Sequence, residues 1–440
     1  MLRRPRCTLA ILILVMFSEA MSSTLILPFI YFMVKDFGIK DPRDIGSYAG
    51  MITSSFWAAQ FISTTFWGIF SDRNGRKKVL LVGLAGNALF LPLFGTARSL
   101  SLALIARSLC GILNGNIGVA RTALGELAEQ SDITHRRAFS LLGMGHAMGA
   151  LVGPIIGGFL VKQRQQHDAG STDGDVSPYL LPCLTAGIIN VFLFLAGVVF
   201  LEETNLAARG ENTKDVAAEP LIPGKPEPSL RSSSMKPPLL CIATAGLLSF
   251  HAIAFDEIFP IFAATVEPSN AGLSLQPEII ATLLSGMGFV ILSTLLFGYT
   301  WLNKRISTLS LCRGTALILA VVYPFFPILP TLEKTPKTIS LILLLVARFA
   351  ANSICYTSLN ILVNSCVEPK VRGAWNGIAQ SVVSLLRTVG PASAGYLWSW
   401  GLKSGLGFPL NHYLVYLLIS VIAAGQFVVS FCIPAQSVRL

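Results

Sequence analysis

Twelve times along its 440 residues the sequence runs apolar for the length of a membrane crossing. The runs lie at approximately 9–34, 45–70, 79–96, 100–124, 138–161, 178–201, 238–266, 279–302, 314–332, 339–367, 373–400 and 410–433. A helix needs roughly 20 mostly apolar residues to cross about 30 Å of hydrocarbon. Inside lipid the backbone has no water to bond, so such runs must be helices. Composition agrees: 13% of residues are charged and 53% hydrophobic, whereas soluble domains carry roughly 25% charged residues. In water such a chain would expose large apolar patches. The expected fold is an all-α membrane protein of twelve transmembrane helices in two pseudo-symmetric six-helix bundles. Twelve spans and short loops leave no length for a sizeable soluble domain.

Several function classes are excluded. The formal charge of +10 does not make a nucleic-acid surface, because the basic residues sit in short loops between apolar runs and not on one polar face. The eight cysteines (Cys7, Cys110, Cys183, Cys241, Cys312, Cys355, Cys366 and Cys432) are scattered, with no CxxC pair or Cys/His cluster, so neither a disulfide framework nor a metal site is expected. There is no N-x-Ser/Thr acceptor and no G-x-x-x-x-G-K-Ser/Thr loop, which argues against an ATP-driven pump. No nucleophile elbow appears either. Neither enzyme activity nor a cofactor is expected.

Arg3, Arg4 and Arg6 before the apolar run from Leu9 imitate a signal peptide, but the run continues through Pro28 to Val34, long enough to span. It reads as a retained first helix. Twelve crossings put both termini on one side. With the N-terminus in the cytoplasm, the cytoplasmic segments hold more than twice as many Lys and Arg residues as the outer loops, as the positive-inside rule requires. Residues 202–237 are polar, mix both charges and contain Pro220, Pro223, Pro226 and Pro228. Such a stretch cannot bury enough apolar surface to order itself. It is expected to be a flexible cytoplasmic linker between bundles 1–201 and 238–440. Arg231-Ser232-Ser233-Ser234 within it reads as a solvated tether, with phosphorylation as the alternative.

The halves look alike. Ile105-Ala106-Arg107 in the fourth span is matched by Val346-Ala347-Arg348 in the tenth, and Gly153-Pro154 in the fifth by Gly390-Pro391 in the eleventh, at nearly the same offset. Internal repeats of this kind place a substrate site at their interface near the bilayer midplane.

Two motifs have their own physics. After the second span the chain reads Gly68-Ile-Phe-Ser-Asp72-Arg73-Asn-Gly75-Arg76-Lys77-Lys78. Gly75 permits a turn with positive φ, Asp72 can pair with arginine or face a helix N-terminus, and the basic cluster stays at the membrane surface. In the fifth span Gly145, Gly149, Gly153 and Gly157, with Gly158 following, fall four apart. They form a side-chain-free stripe that lets a neighbouring backbone approach closely, and Pro154 bends the helix. Here the sequence resembles the major facilitator superfamily, whose signature after the second helix is matched by Gly68, Asp72, Arg73, Gly75 and Arg76. Gly145, Gly149, Gly153, Pro154, Gly157 and Gly158 match the family pattern that marks proton-coupled antiporters. Arg107 and Gly111 meet a third pattern. The likeness covers essentially the whole chain. It looks closest to the twelve-span drug:proton antiporters, and among them to the zinc-induced-facilitator-like proteins and their fungal relatives, through residues 27–37 and 372–379. Only a degraded copy of the first signature stands at Gly298 to Arg305.

Ionisable residues within spans are costly and are functional candidates by default. Glu19, near the middle of the first span, is the expected proton carrier, with Arg107 as a neighbour that could time release, a role the resemblance implies. Asp256 of the seventh span is a second candidate, preferred over Glu257 because adjacent helical residues point about 100° apart. Arg348 and Arg387 lie near the midplane of the second half, where they would pair with Glu19 or Asp256 or bind an anionic group. Together with His251 they are the candidate substrate-cavity residues, although packing is the commoner fate of a buried histidine. Phe29, Tyr31, Phe255, Phe259 and Tyr356 are candidate cavity aromatics.

The expected function is secondary active transport by alternating access, as proton-coupled efflux (antiport) of a small organic molecule. Its partners would be substrate, protons and the lipid bilayer. The alternatives are proton symport or uniport for uptake, or a non-transporting receptor with the same fold. A monomer is expected, in the plasma membrane rather than the vacuolar membrane, with cytoplasmic termini.

Overall fold

The computed structural model describes residues 5–39, 41–130, 135–168, 177–205, 236–266, 271–366 and 372–434. Among the described residues the regular structure is helical throughout. Most of the expected linker, including Arg231-Ser232-Ser233-Ser234, lies outside the described residues. The chain forms two compact units interleaved in sequence: 1–38, 55–222 and 276–288, and then 39–54, 223–275 and 289–440.

The first unit contains α1 (Pro5–Thr24), α2 (Ile30–Asp36), the later part of α3 (Ile45–Asn74), α4 (Arg76–Gly95), α5 (Leu100–Ile112), α6 (Asn116–Glu129), α7 (His135–Asp168), α8 (Leu180–Phe200) and the start of α10 (Pro277–Ser293). The second contains the start of α3, α9 (Lys236–Ala264), the end of α10, α11 (Tyr299–Asn303), α12 (Thr308–Val322), α13 (Lys334–Ser365), α14 (Arg372–Lys403) and α15 (Leu414–Phe431). Among the described residues, ten helical stretches are long and apolar enough to cross a membrane. The 30-residue α3 and 32-residue α14 fill the two remaining places of the expected twelve.

Lipid is as apolar as leucine, so helix association here relies on close packing and hydrogen bonds. Between α1 and α7 the contact is made by the glycine stripe. A Cβ on Gly145, Gly149 or Gly157 would overlap the carbonyl oxygens of Ile13, Phe17 and Leu25 respectively, and one on Gly153 would overlap Thr24 Oγ1. Gly158 is closed in the same way by Ala281 of α10. One end of this unit packs Ile11, Leu12 and Val15 of α1 against Val79, Leu80 and Leu84 of α4 and Ala120 and Leu124 of α6.

The second unit is held by aromatic rings. Phe255 stacks on Phe259 at 5.7 Å and meets Phe326 edge-on at 4.8 Å, while Phe326 stacks on Tyr416 at 5.9 Å. The start of α3 lies against α14, where a Cβ on Gly50 would overlap the Pro391 carbonyl and one on Gly395 that of Gly46. Ser399 Oγ accepts from Ser47 N at 2.9 Å, and Ser54 Oγ from Ala392 N at 2.9 Å.

Candidate functional site

The fourth apolar run, expected as one helix, is broken. α5 ends at Ile112 and α6 begins at Asn116, with Leu113, Asn114 and Gly115 between them. Asparagine competes with the backbone for hydrogen bonds, and Asn-Gly is a turn signal. The carbonyls released by the break find partners on α3. Ser63 Oγ donates to Gly111 O at 3.3 Å and Trp67 Nε1 to Ile112 O at 2.6 Å. Gly115 makes room for the Trp67 side chain.

Into this break points Glu19 of α1, 5% exposed. Asn114 Nδ2 donates to its Oε2 at 2.5 Å, Asn116 Nδ2 to its Oε1 at 2.6 Å, and Asn87 Nδ2 of α4 to Oε1 at 3.4 Å. At the preceding residue, Ser18 Oγ donates to Asn190 Oδ1 of α8 at 2.5 Å. Three amides thus donate to the carboxylate. Arg107, buried at 2% exposure, lies with its guanidinium 4.6 Å from the Phe56 ring centroid and 5.8 Å from that of Phe94. A cation over a ring face is attracted by the ring quadrupole. The three asparagines were not singled out from sequence. Asn114-Gly115-Asn116, a turn motif inside an apolar run, is the signal that could have found two of them.

A second charged group occupies the other unit. Arg348 of α13 is wholly buried and pairs through Nη2 with Asp256 Oδ1 of α9 at 2.8 Å. It also donates to Ala252 O at 2.8 Å. Its guanidinium lies between the rings of Phe255 and Phe349, 4.4 and 4.3 Å from their centroids. The Asp256 side chain is 41% exposed and also feels the charge of Arg387 on α14. His251 is wholly buried, with Nδ1 2.9 Å from Tyr323 OH and Nε2 2.8 Å from Gln426 Oε1. It ties α9 to α15 and to the segment after α12. Of the candidate aromatics, Phe29, Tyr31, Phe255 and Phe259 are buried in the helix core and Tyr356 is exposed.

The signature after α3 forms a third cluster. Arg76 donates to Ser71 Oγ at 2.7 Å, to Asp72, and to Glu126 Oε1 at 2.9 Å. Gly75 has φ of 101°. Behind it the Glu203 carboxylate accepts from the backbone N–H of Arg76 and Lys77. Asn205 Nδ2 donates to Asp72 O at 2.8 Å and Thr204 Oγ1 to Glu126 Oε2 at 2.6 Å. The chain that follows α8 is therefore fastened to the start of α4. Arg73 is exposed, and nothing crowds Gly68.

Buried charge at a helix break within an all-helical membrane unit defines a secondary transporter architecture. Residues 12–391 match the family profile described as Major Facilitator Superfamily, and the chain belongs to that superfamily. It is 30% identical to "Major facilitator superfamily multidrug transporter mfsB" of Aspergillus fumigatus over 477 aligned residues, covering 90% of this chain and 79% of that protein. It is also 30% identical to "Protein ZINC INDUCED FACILITATOR-LIKE 1" of Arabidopsis thaliana, covering 95% and 89%. Among solved structures, the human organic anion transporter MFSD10 (TETRAN) shares the fold, with a TM-score of 0.63 at 18% identity over 98% of this chain and 100% of that one. The chain is a secondary active transporter, as expected from its sequence, and no enzyme.

Proposed function

We propose that this transporter exports a small organic molecule in exchange for protons, with Glu19 as the coupling acid. The observation that carries this reading is the carboxyl of Glu19, buried in the later part of α1 and held by three neutral amides at a break between α5 and α6. An ionisable group within a span is expensive and marks a transport pathway by default. Its hydrogen-bond partners are neutral amides, so it can bind and release a proton as the protein alternates between states. The glycine stripe of α7 supports antiport through the resemblance already noted. Export is supported by the likeness to "Efflux pump azaK" of Aspergillus niger, 28% identical over 87% of this chain.

In this reading Asp256, Arg348 and Arg387 form a second charged group, which takes part in coupling or receives a polar group of the substrate. Arg107 adjusts the field around Glu19 from its place beside Cys110. The halves 1–201 and 238–440, joined by 202–237, alternate between states in a monomer with cytoplasmic termini in the plasma membrane.

Proteoliposomes with an acidic lumen provide the test, using ethidium and carboxyfluorescein as cationic and anionic probes. Gradient-driven uptake of a probe by the wild type and its loss in Glu19→Gln, with folding intact by size-exclusion chromatography, is expected. Uptake that ignores the gradient, follows the opposite gradient, or survives in Glu19→Gln would overturn the proposal.

A further inference from the structure

The amides around Glu19 are not equivalent. Asn114 Oδ1 accepts from Gln60 Nε2 at 3.1 Å and from the Asn116 backbone N–H at 3.3 Å. Two donors on its oxygen fix which way the Asn114 amide faces, so its Nδ2 must donate to Glu19 Oε2. A protonated Glu19 must keep Oε2 as an acceptor, which leaves Oε1 as the oxygen that carries the proton.

Oε1 faces Asn116, whose amide is otherwise placed. Asn116 is wholly buried. Its Nδ2 donates to Oε1, while its own Oδ1 has no hydrogen-bond partner among the described residues. A buried acceptor without a donor is costly and calls for an explanation. The amide also lies where α4 has no side chain: a Cβ on Gly83 would overlap Oδ1, Nδ2 and Cγ of Asn116. Gly83 thus gives the amide a niche of its own.

We infer that Asn116 reads the protonation state of Glu19 by turning its amide half a revolution. With Glu19 charged, Nδ2 donates to Oε1. When Oε1 takes a proton from hydronium, its new O–H needs an acceptor and the Nδ2 donor loses its own. Rotation brings Oδ1, the idle acceptor, to face it. One O–H bond of hydronium breaks to leave water, one O–H bond forms on Oε1, and no other covalent bond changes. Because Asn116 is the first residue of α6, the turn acts at the helix break itself. The other groups on elements packed around Glu19 are Asn87 on α4, Cys110 and Arg107 on α5, Arg121 on α6, His146 on α7, and Asn190 on α8 through Ser18. The hydrogen-bond partners of Glu19 are Asn87, Asn114 and Asn116 alone among the described residues. This inference rests on the reading of Glu19 as the acid that titrates.

Infrared difference spectra of the purified protein in liposomes, recorded across pH, provide the test. The carboxylic acid carbonyl band of the wild type should vanish in Glu19→Gln. Asn114→Ala removes a donor that both forms use but that binds the charged carboxylate more strongly, and should move the band's midpoint to higher pH by about one unit. Asn116→Ala removes a partner used by both forms and should move it much less, while shifting the band's frequency. Leucine at each position repeats the comparison with the gap filled, in case alanine impairs folding. A midpoint in the Asn116 variants that rises as far as in the Asn114 variants would make Asn116 an ordinary donor and overturn the inference, as would a band that persists in Glu19→Gln. If the spectra behave as expected but Glu19→Gln still transports with the gradient, the inference stands and the coupling role proposed above falls.

Discussion

Glu203 accepts a hydrogen bond at 2.8 Å from the backbone N–H of Arg76, the first residue of α4. Its other oxygen takes the Lys77 N–H at 3.0 Å. A helix begins with N–H groups that lack partners and with a partial positive charge, and a carboxylate placed there meets both needs. The residue supplying it comes from just beyond α8, so one side chain caps one span and fastens the end of another. Glu203→Ala should cost about 1–2 kcal/mol, and Glu203→Gln, which keeps an acceptor, less. Unfolding of the detergent-solubilised protein followed by intrinsic fluorescence would measure both.

Gly75 carries two constraints at once, a φ of 101° and the closeness of the Glu203 carboxylate. Gly75→Ala should therefore destabilise by more than the ~1 kcal/mol expected of positive φ alone. The steric part disappears when Glu203 is also truncated. In a double-mutant cycle with Glu203→Ala, the combined loss should fall short of the sum. Additive losses would mean that the backbone angle alone sets the requirement.

The Asp256–Arg348 pair should be worth less than the damage done by breaking it. Asp256→Ala leaves a wholly buried guanidinium with one carbonyl partner, and breaking a buried pair costs up to ~3–5 kcal/mol. The partial exposure of Asp256 places the loss at the low end of that range. Arg348→Met together with Asp256→Ala removes both charges and should recover most of the stability. A double variant less stable than Asp256→Ala would show the guanidinium to be held mainly by Phe255 and Phe349.

At the start of α3, Asp41 lies outside the spans. The Arg43 side chain and backbone N–H, with a smaller contribution from Lys403, hold its carboxyl down to about 2 from 3.8. A depressed value in the folded state means that the contribution to stability is present above pH 3.8 and lost as pH falls through 2. Asp41→Asn should flatten the fall in Tm across that window. Exposed pairs are weak and screened by salt, so the difference should shrink in high-salt buffer.

The architecture was legible because lipid allows few choices: apolar runs of spanning length must be helices, and a glycine every fourth residue must meet a backbone. Glu19 was legible for the same reason, since a carboxyl there is costly. Its partners were not. Asn114 and Asn116 are uncharged and sit inside a run whose hydropathy reads as continuous, so a reading built on charge and apolarity passes over them. Arg107 was expected as a neighbour that could time proton release; the rings of Phe56 and Phe94 lie against its guanidinium, and hydropathy says nothing of where a ring face points. Asp256 and Arg348 lie far apart in sequence, so their pairing with each other, one of several pairings left open, needed the fold.

The stripe on α7 has a mechanical consequence. Most helix pairs interlock like gears, and axial slip forces side chains over one another. Where Gly145, Gly149, Gly153 and Gly157 face α1 there are no teeth on one of the two rods. Small glides along that seam require no rotamer to jump, so the rod that bears Glu19 has a low-friction track running beside it.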